Sequence, residues 1–256
     1  LRALIFLALI FSIYLAEPRI AVFCFHSIPE KVGDDPYALN QQRFLEFLDF
    51  LDKEKVVLIA PGESCKPFMK CAQLSFDDGY ENHLDFVIPE LVSRGKGAFF
   101  FWTGEFLTEH EGKIQKVWNQ DLMTLGAHGW SDESLMGEDR ETLKDMFDKS
   151  DLLIEKVSGE VALHFAYPRG ERDDTLIEVV RKNYQYEYLV NASYSFPWRF
   201  WRERDRLLVF GNHKEEIWRE YLSGIALWER PWSWIAIVLF GFLIALFRIR
   251  EHARNS

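Results

Sequence analysis

The chain has 256 residues, 48 % of them hydrophobic and 27 % charged, which suits one large α/β domain and excludes a disordered or collagen-like chain. There are 30 Lys and Arg against 40 Asp and Glu, a formal charge of −10, so the basic footprint that nucleic acid requires is missing.

Residues 3–16 (ALIFLALIFSIYLA) are nearly all apolar, with Arg2 before them. They fall short of the ~20 residues of a membrane span and suit a signal-peptide core. Tyr14 is a poor residue for cleavage after Ala16, so an uncleaved anchor stays open. Residues 20–25 (IAVFCF) read as a first strand ending at His26. Phe44, Phe47, Leu48 and Leu51 then repeat with helical spacing. Further strands are expected at 56–60, 72–76, 98–102, 163–167, 188–192 and 207–210. Leu143, Met146, Phe147, Ile154 and Val157 line one face of a second helix, and Leu176, Val179 and Val180 begin a third. This alternation argues for a parallel sheet with helical crossovers, closed as a barrel or open and doubly wound. No Gly-rich phosphate loop follows the first strand. Cys65 and Cys71 enclose five residues; they pair in an oxidising compartment or remain thiols. Cys24 reads as a packed residue.

Residues 232–247 (WSWIAIVLFGFLIALF) carry no charge and make about 24 Å of helix, the lower edge of a span. Trp228, Trp232 and Trp234 suit an interfacial belt, and Arg248, Arg250 and Arg254 follow the apolar run. The expected organisation is a signal or anchor at 1–16, a catalytic domain at 20–215, a juxtamembrane helix at 216–230, a membrane helix at 231–248 and a cytoplasmic tail at 249–256. The domain is then membrane-anchored and extracytoplasmic.

Three segments carry chemistry. In 73–79 (QLSFDDG) an apolar strand ends in Asp77, Asp78 and a Gly. A Gly turn lets both carboxylates reach one pocket mouth, at the strand end where parallel α/β folds bind ligands. In 126–132 (GAHGWSD), His128 and Asp132 are four apart, which in a helical turn puts them on one side. Imidazole with carboxylates suits a divalent metal. In 165–170 (FAYPRG) a strand runs into a Pro/Gly turn, where Tyr167 can line a pocket.

In this order the segments resemble the polysaccharide deacetylase family, carbohydrate esterase family 4, over about residues 20–213. Residues 75–79 resemble its T/S-F-D-D-G motif, 128–132 its H-S/T-x-x-H motif, and 165–170 the F-A-Y-P-x-G form of its third. Residues 23–28 resemble the Y-H-x-I strand of the branch acting on poly-N-acetylglucosamine. The resemblance implies a distorted (β/α) barrel of about seven strands, to which the apolar runs add terminal helices. It implies Asp77 as general base, Asp78, His128 and Asp132 as ligands of a divalent metal, Zn²⁺ above all, and His26 or His213 as general acid. Tyr167, Pro168 and Trp130 are the expected substrate contacts. Asp132 departs from the family, which has a second His there. The third motif also lacks the Arg that pairs with the base in many members, Ala166 lying in that region. The implied reaction removes acetyl groups from an N-acetylated cell-surface or extracellular glycan. The alternatives are an inactive glycan-binding relative, or a deformylase or deacetylase of a lipid-linked sugar. The expected partners are the glycan and the membrane.

Overall fold

The computed structural model describes residues 20–59, 65, 69–190 and 203–223. The apolar runs at 3–16 and 232–247, and the terminal helices and membrane segments expected there, lie outside these residues. No described helix is long and apolar enough to cross a membrane.

The apolar runs become nine strands: β1 (Ile20–Phe25), β2 (Val56–Leu58), β3 (Lys70–Asp78), β4 (Ala98–Trp102), β5 (Met123–Ala127), β6 (His164–Ala166), β7 (Tyr186–Leu189), β8 (Glu203–Asp205) and β9 (Leu207–Leu208). Their order is β8-β7-β6-β5-β4-β3-β1-β9, with β2 a short addition on β3. Every pairing is parallel. Strands β8 and β9 stand at opposite edges of this sheet yet are separated in the chain by Arg206 alone. The segment 203–208 therefore pairs first with β7 and then with β1, and the sheet becomes a nearly closed barrel. Taken as one interrupted strand, β8 and β9 give seven staves, as expected for a distorted (β/α) barrel.

Parallel neighbours require crossovers, and the helices supply them outside the barrel. They are α1 (Gln41–Lys53), α2 (Ile88–Ser93, entered through a π-helical turn at His83–Val87), α3 (Gly104–Val117), α4 (Arg140–Ser158), α5 (Asp174–Asn183) and α6 (Glu215–Leu222). Their starts are capped locally. Asn40, Thr103, Asp139 and Asp173 each accept a first-turn backbone N–H, an interaction worth about 1 kcal/mol apiece. Helix α6 packs Trp218 against Phe47 and Phe50, so the fold continues past residue 215.

Side-chain alternation sorts each strand into an outer and an inner face. Phe23, Phe25, Phe76, Phe100 and Trp102 face the helices and join the main core. The inner face is graded along the barrel. Ile20, Val22, Ile59, Met69 and the Cys65–Cys71 disulfide fill the end where the strands begin. Phe99, Phe101, Ala166 and Tyr188 fill the middle. Cys24, Ser75 and Asp77 lie toward the strand ends on adjacent β1 and β3, where Cys24 is in register with Ser75.

The sequence pattern misses β5, because Gly126 weakens its strand signal. That Gly is required: a Cβ there would come within 2.5 Å of the Phe101 ring. It also misses α3, a helix starting directly at the end of β4.

Asp151 on α4 accepts a hydrogen bond from the Tyr184 hydroxyl at 3.0 Å. Burial pushes its pKa up to about 6, against the opposing effect of that hydrogen bond. With the folded value raised, the protonated form is the stabilised one, and its contribution is lost as pH rises from about 4 to about 6. Asp151→Asn is expected to be more stable than the native chain at pH 7.5 by about 1–2 kcal/mol, allowing for partial exposure, and nearly equal to it at pH 4. Urea unfolding at both pH values tests this; an equal difference at both would refute it.

Candidate active site

A cavity of about 440 Å³ opens at the carboxyl ends of the strands, lined by His26, Asp77, Asp78, His128, Asp132 and Tyr167 among others. The backbone explains how adjacent Asp77 and Asp78 both reach it. Asp78 has φ 67° and Gly79 φ 101°, so the chain turns sharply as β3 ends. Position 79 admits no side chain, since a Cβ would meet the Phe106 ring at 2.4 Å. A non-glycine residue in the left-handed region is uncommon, and here it serves to aim a carboxylate.

Asp77 is buried, and its Oδ1 lies 2.5 Å from Nη1 of Arg206. Arg206 is itself fully buried and also donates to Ser75 Oγ at 3.3 Å. Its guanidinium lies over the Phe101 ring. Burial alone would raise the Asp77 pKa, but the charges of Arg206 and His128 hold the carboxyl below its ordinary value. Asp77 is thus kept ionised inside the barrel. The Cys24 thiol donates to its other oxygen at 3.5 Å, so Cys24 belongs to this polar layer.

His128 is oriented from behind. Its Nδ1 donates to the Ala166 carbonyl at 2.8 Å, and this leaves Nε2 facing Asp78 Oδ1 at 3.2 Å. Tyr80 donates to the other Asp78 oxygen at 3.2 Å. Burial raises the Asp78 pKa, yet His128, His26 and Tyr80 outweigh it and bring it to about 2. Burial lowers His128, and the two carboxylates more than reverse that. Two ligand atoms bound tetrahedrally to one zinc lie about 3.3 Å apart. The Asp78–His128 spacing, with Nδ1 anchored and Nε2 turned to the carboxylate, therefore fits a divalent cation.

Asp132 shares the cavity, but it sits in a bend after Gly129 (φ 74°) and not in the helical turn expected from its spacing. Burial and the charge of Asp78 raise its pKa. Among the described residues, the one set of three potential ligand atoms within 4.8 Å of one another is Cys24, His26 and Asp77. That set suits a cation poorly. Arg206 already occupies Asp77, and burial holds the Cys24 thiol well above its ordinary pKa.

His26 follows β1 in the cavity wall, its buried Nδ1 without a hydrogen-bond partner among the described residues. His83 is structural: its Nε2 donates to the His26 carbonyl at 2.8 Å and its Nδ1 accepts from Trp102 at 3.1 Å. His213 lines a separate groove and is absent from the cavity wall. Of the expected substrate contacts, Tyr167 lines the cavity and donates to buried Glu187 at 2.5 Å, which two Arg181 nitrogens hold in turn. Trp130 and Pro168 do not line it. Trp130 packs on Gly104, where a Cβ would come within 2.5 Å of the indole, and Pro168 is buried near Gly129. The sequence reading missed Arg206. It lies 129 positions from Asp77, and its one local signal is a charge abutting the last apolar strand.

A polysaccharide deacetylase family model matches residues 66–189. Comparison with curated proteins returns no match. Among solved structures, the chain is similar to the Streptococcus pyogenes deacetylase PplD in complex with acetate, with TM-score 0.70 and 15 % identity, covering 80 % of this chain and 99 % of that one. It is also similar to IcaB from Ammonifex degensii, with TM-score 0.67 and 17 % identity over 81 % and 97 % of the two chains. A third is the de-N-acetylase from Aggregatibacter actinomycetemcomitans, with TM-score 0.68 and 15 % identity over 79 % and 99 %. At these identities the likeness is one of fold.

Removing one member of a buried ion pair leaves an uncompensated charge, at about 3–5 kcal/mol. Arg206→Met is expected to lose about that much stability in urea unfolding. The double variant Asp77→Asn with Arg206→Met is expected to recover most of it. A double variant no more stable than Arg206→Met would show that the loss has another source.

Proposed function

We propose that the chain, whose residues 66–189 match a polysaccharide deacetylase family model, is a metal-dependent hydrolase removing N-acetyl groups from the sugars of a cell-surface or extracellular polysaccharide. The observation that carries this reading is the division of labour between adjacent carboxylates. Asp77 is held ionised by Arg206, and Asp78 is paired with Nε2 of an oriented, buried imidazole.

Asp78 and His128 would hold the cation, with Asp132 beside them in the cavity wall. When bound, the cation supplies Lewis-acid polarisation of the amide carbonyl and lowers the pKa of water. Asp77 accepts the proton of the attacking water, and Arg206 keeps its carboxyl ionised for that purpose. His26 donates a proton to the departing nitrogen as the C–N bond breaks. Water adds to the acetyl carbon, and acetate and a free sugar amine leave. Tyr167, braced by Glu187 and Arg181, bounds the sugar. The Arg missing from the third motif is made good by Arg206, which reaches the base from the barrel seam. The Cys65–Cys71 disulfide and the two apolar runs support an extracytoplasmic, membrane-anchored domain.

The test is acetate release from N-acetylglucosamine oligomers by the full chain with Zn²⁺. Activity is expected to vanish with a chelator and to return on adding Zn²⁺. Asp77→Asn is expected to lower kcat by at least about 100-fold while metal content is unchanged. An Asp77→Asn variant of full rate would remove the base assignment. Sugar binding without acetate release, whichever divalent metal is supplied, would make the protein a glycan-binding relative.

A further inference from the structure

A second groove, of about 700 Å³, lies beside the catalytic cavity. Its walls are the segment between β1 and α1 and the segment between β9 and α6. They are held together where Gly211 N–H donates to the Pro36 carbonyl at 3.2 Å, and where Arg43 donates to the His213 carbonyl at 2.7 Å. The backbones approach so closely that a Cβ at Gly211 would lie 2.3 Å from the Ala38 oxygen.

The groove and the cavity adjoin, since Asp35 lines both. Rings mark the path between them. His26 in the cavity wall lies 5.3 Å from Tyr37, Tyr37 lies 5.5 Å from Phe210, and Phe210 lies 5.0 Å from His213. Tyr37 is 44 % exposed, so its ring is open to contact from solvent. Aromatic faces beside polar groups suit the apolar faces of pyranose rings.

The charge of the groove is one-sided. Asp34 and Asp35 line it, both exposed, and among the described residues no Lys or Arg lines it, the exposed Lys31 and Lys214 being chain neighbours of lining residues. The nearby Arg43 is engaged by Glu46 and the His213 carbonyl. Deacetylation turns a neutral acetamide into an amine that is protonated at neutral pH. The product of one turnover therefore has the charge this groove would attract.

We propose that the groove is a subsite for a sugar unit bearing a free amine, next to the N-acetyl unit in the cavity. The protein then acts on partly deacetylated glycan in preference to fully acetylated glycan. This rests on the deacetylase reading for its substrate class, while the subsite itself is testable without turnover.

The experiment has two arms, both on the full chain. In the first, calorimetry measures binding of a glucosamine tetrasaccharide, which has no acetyl group to lose, in 1,4- and 1,6-linked forms. At least one form is expected to bind, more weakly as salt rises, and about two- to fivefold more weakly to Asp34→Asn and to Phe210→Ala. Thermal melts check that both variants are folded. In the second, kcat/KM is compared between fully acetylated oligomers and oligomers whose N-acetyl unit is flanked by glucosamine. The flanked substrate is expected to be favoured about fivefold, and Asp34→Asn to reduce that preference. Absence of tetrasaccharide binding, or binding unchanged in both variants, overturns the subsite. So does equal affinity of Asp77→Asn for the glucosamine and N-acetylglucosamine tetrasaccharides. Binding that the variants weaken, with no acetate from either substrate, sustains the subsite and overturns the deacetylase reading instead.

Discussion

The ion pair between Asp77 and Arg206 is the interaction around which the barrel and its site are organised. Burying two charges costs several kcal/mol per ion, and only close pairing with further contacts offsets this. Here the carboxylate also meets the Cys24 thiol, and the guanidinium meets Ser75 and lies over Phe101. Arg206 occupies the one position between β8 and β9, the two strands that bring the opposite edges of the sheet together. Its backbone N–H donates to Leu189 at 2.9 Å while its side chain crosses to β3. One residue thus ties the seam of the barrel to the carboxylate at its mouth.

The inner face of the barrel sets the chemistry by depth. The end around Ile20, Val22 and the disulfide is apolar, and the opposite end is lined with ionisable groups. Asp77 and Asp78 are neighbours in the chain but meet different surroundings. The first points into the barrel toward a permanent cation. The second, turned by a left-handed backbone, meets an imidazole whose other nitrogen is fixed by Ala166. Two identical side chains acquire separate surroundings from their partners.

The same contrast separates the histidines. His128 and His83 are both buried, and both make hydrogen bonds through Nδ1. His83 spends its second nitrogen on the His26 carbonyl and is sealed among Phe76, Phe100 and Trp102. His128 keeps Nε2 at the cavity. His26 and His213, alike in sequence as the ends of apolar runs, come to lie in adjoining hollows joined through Tyr37 and Phe210.

The sequence by itself determined the strand–helix alternation, the carboxylate pair at a strand end, the His128 loop and the resemblance to the polysaccharide deacetylases. Each of these is written in short-range patterns: apolar periodicity, an Asp-Asp-Gly turn, and motifs kept in order. Only the tertiary structure decided what depends on distant positions meeting. It joined β8 to β9 across the seam and brought Arg206 to Asp77. It paired Cys65 with Cys71, moved His213 and Trp130 out of the cavity wall, and set Asp132 in a bend where a helical turn was expected. Local spacing could not settle these, because a side chain's partner in a barrel is fixed by the register and closure of the sheet and not by nearness along the chain.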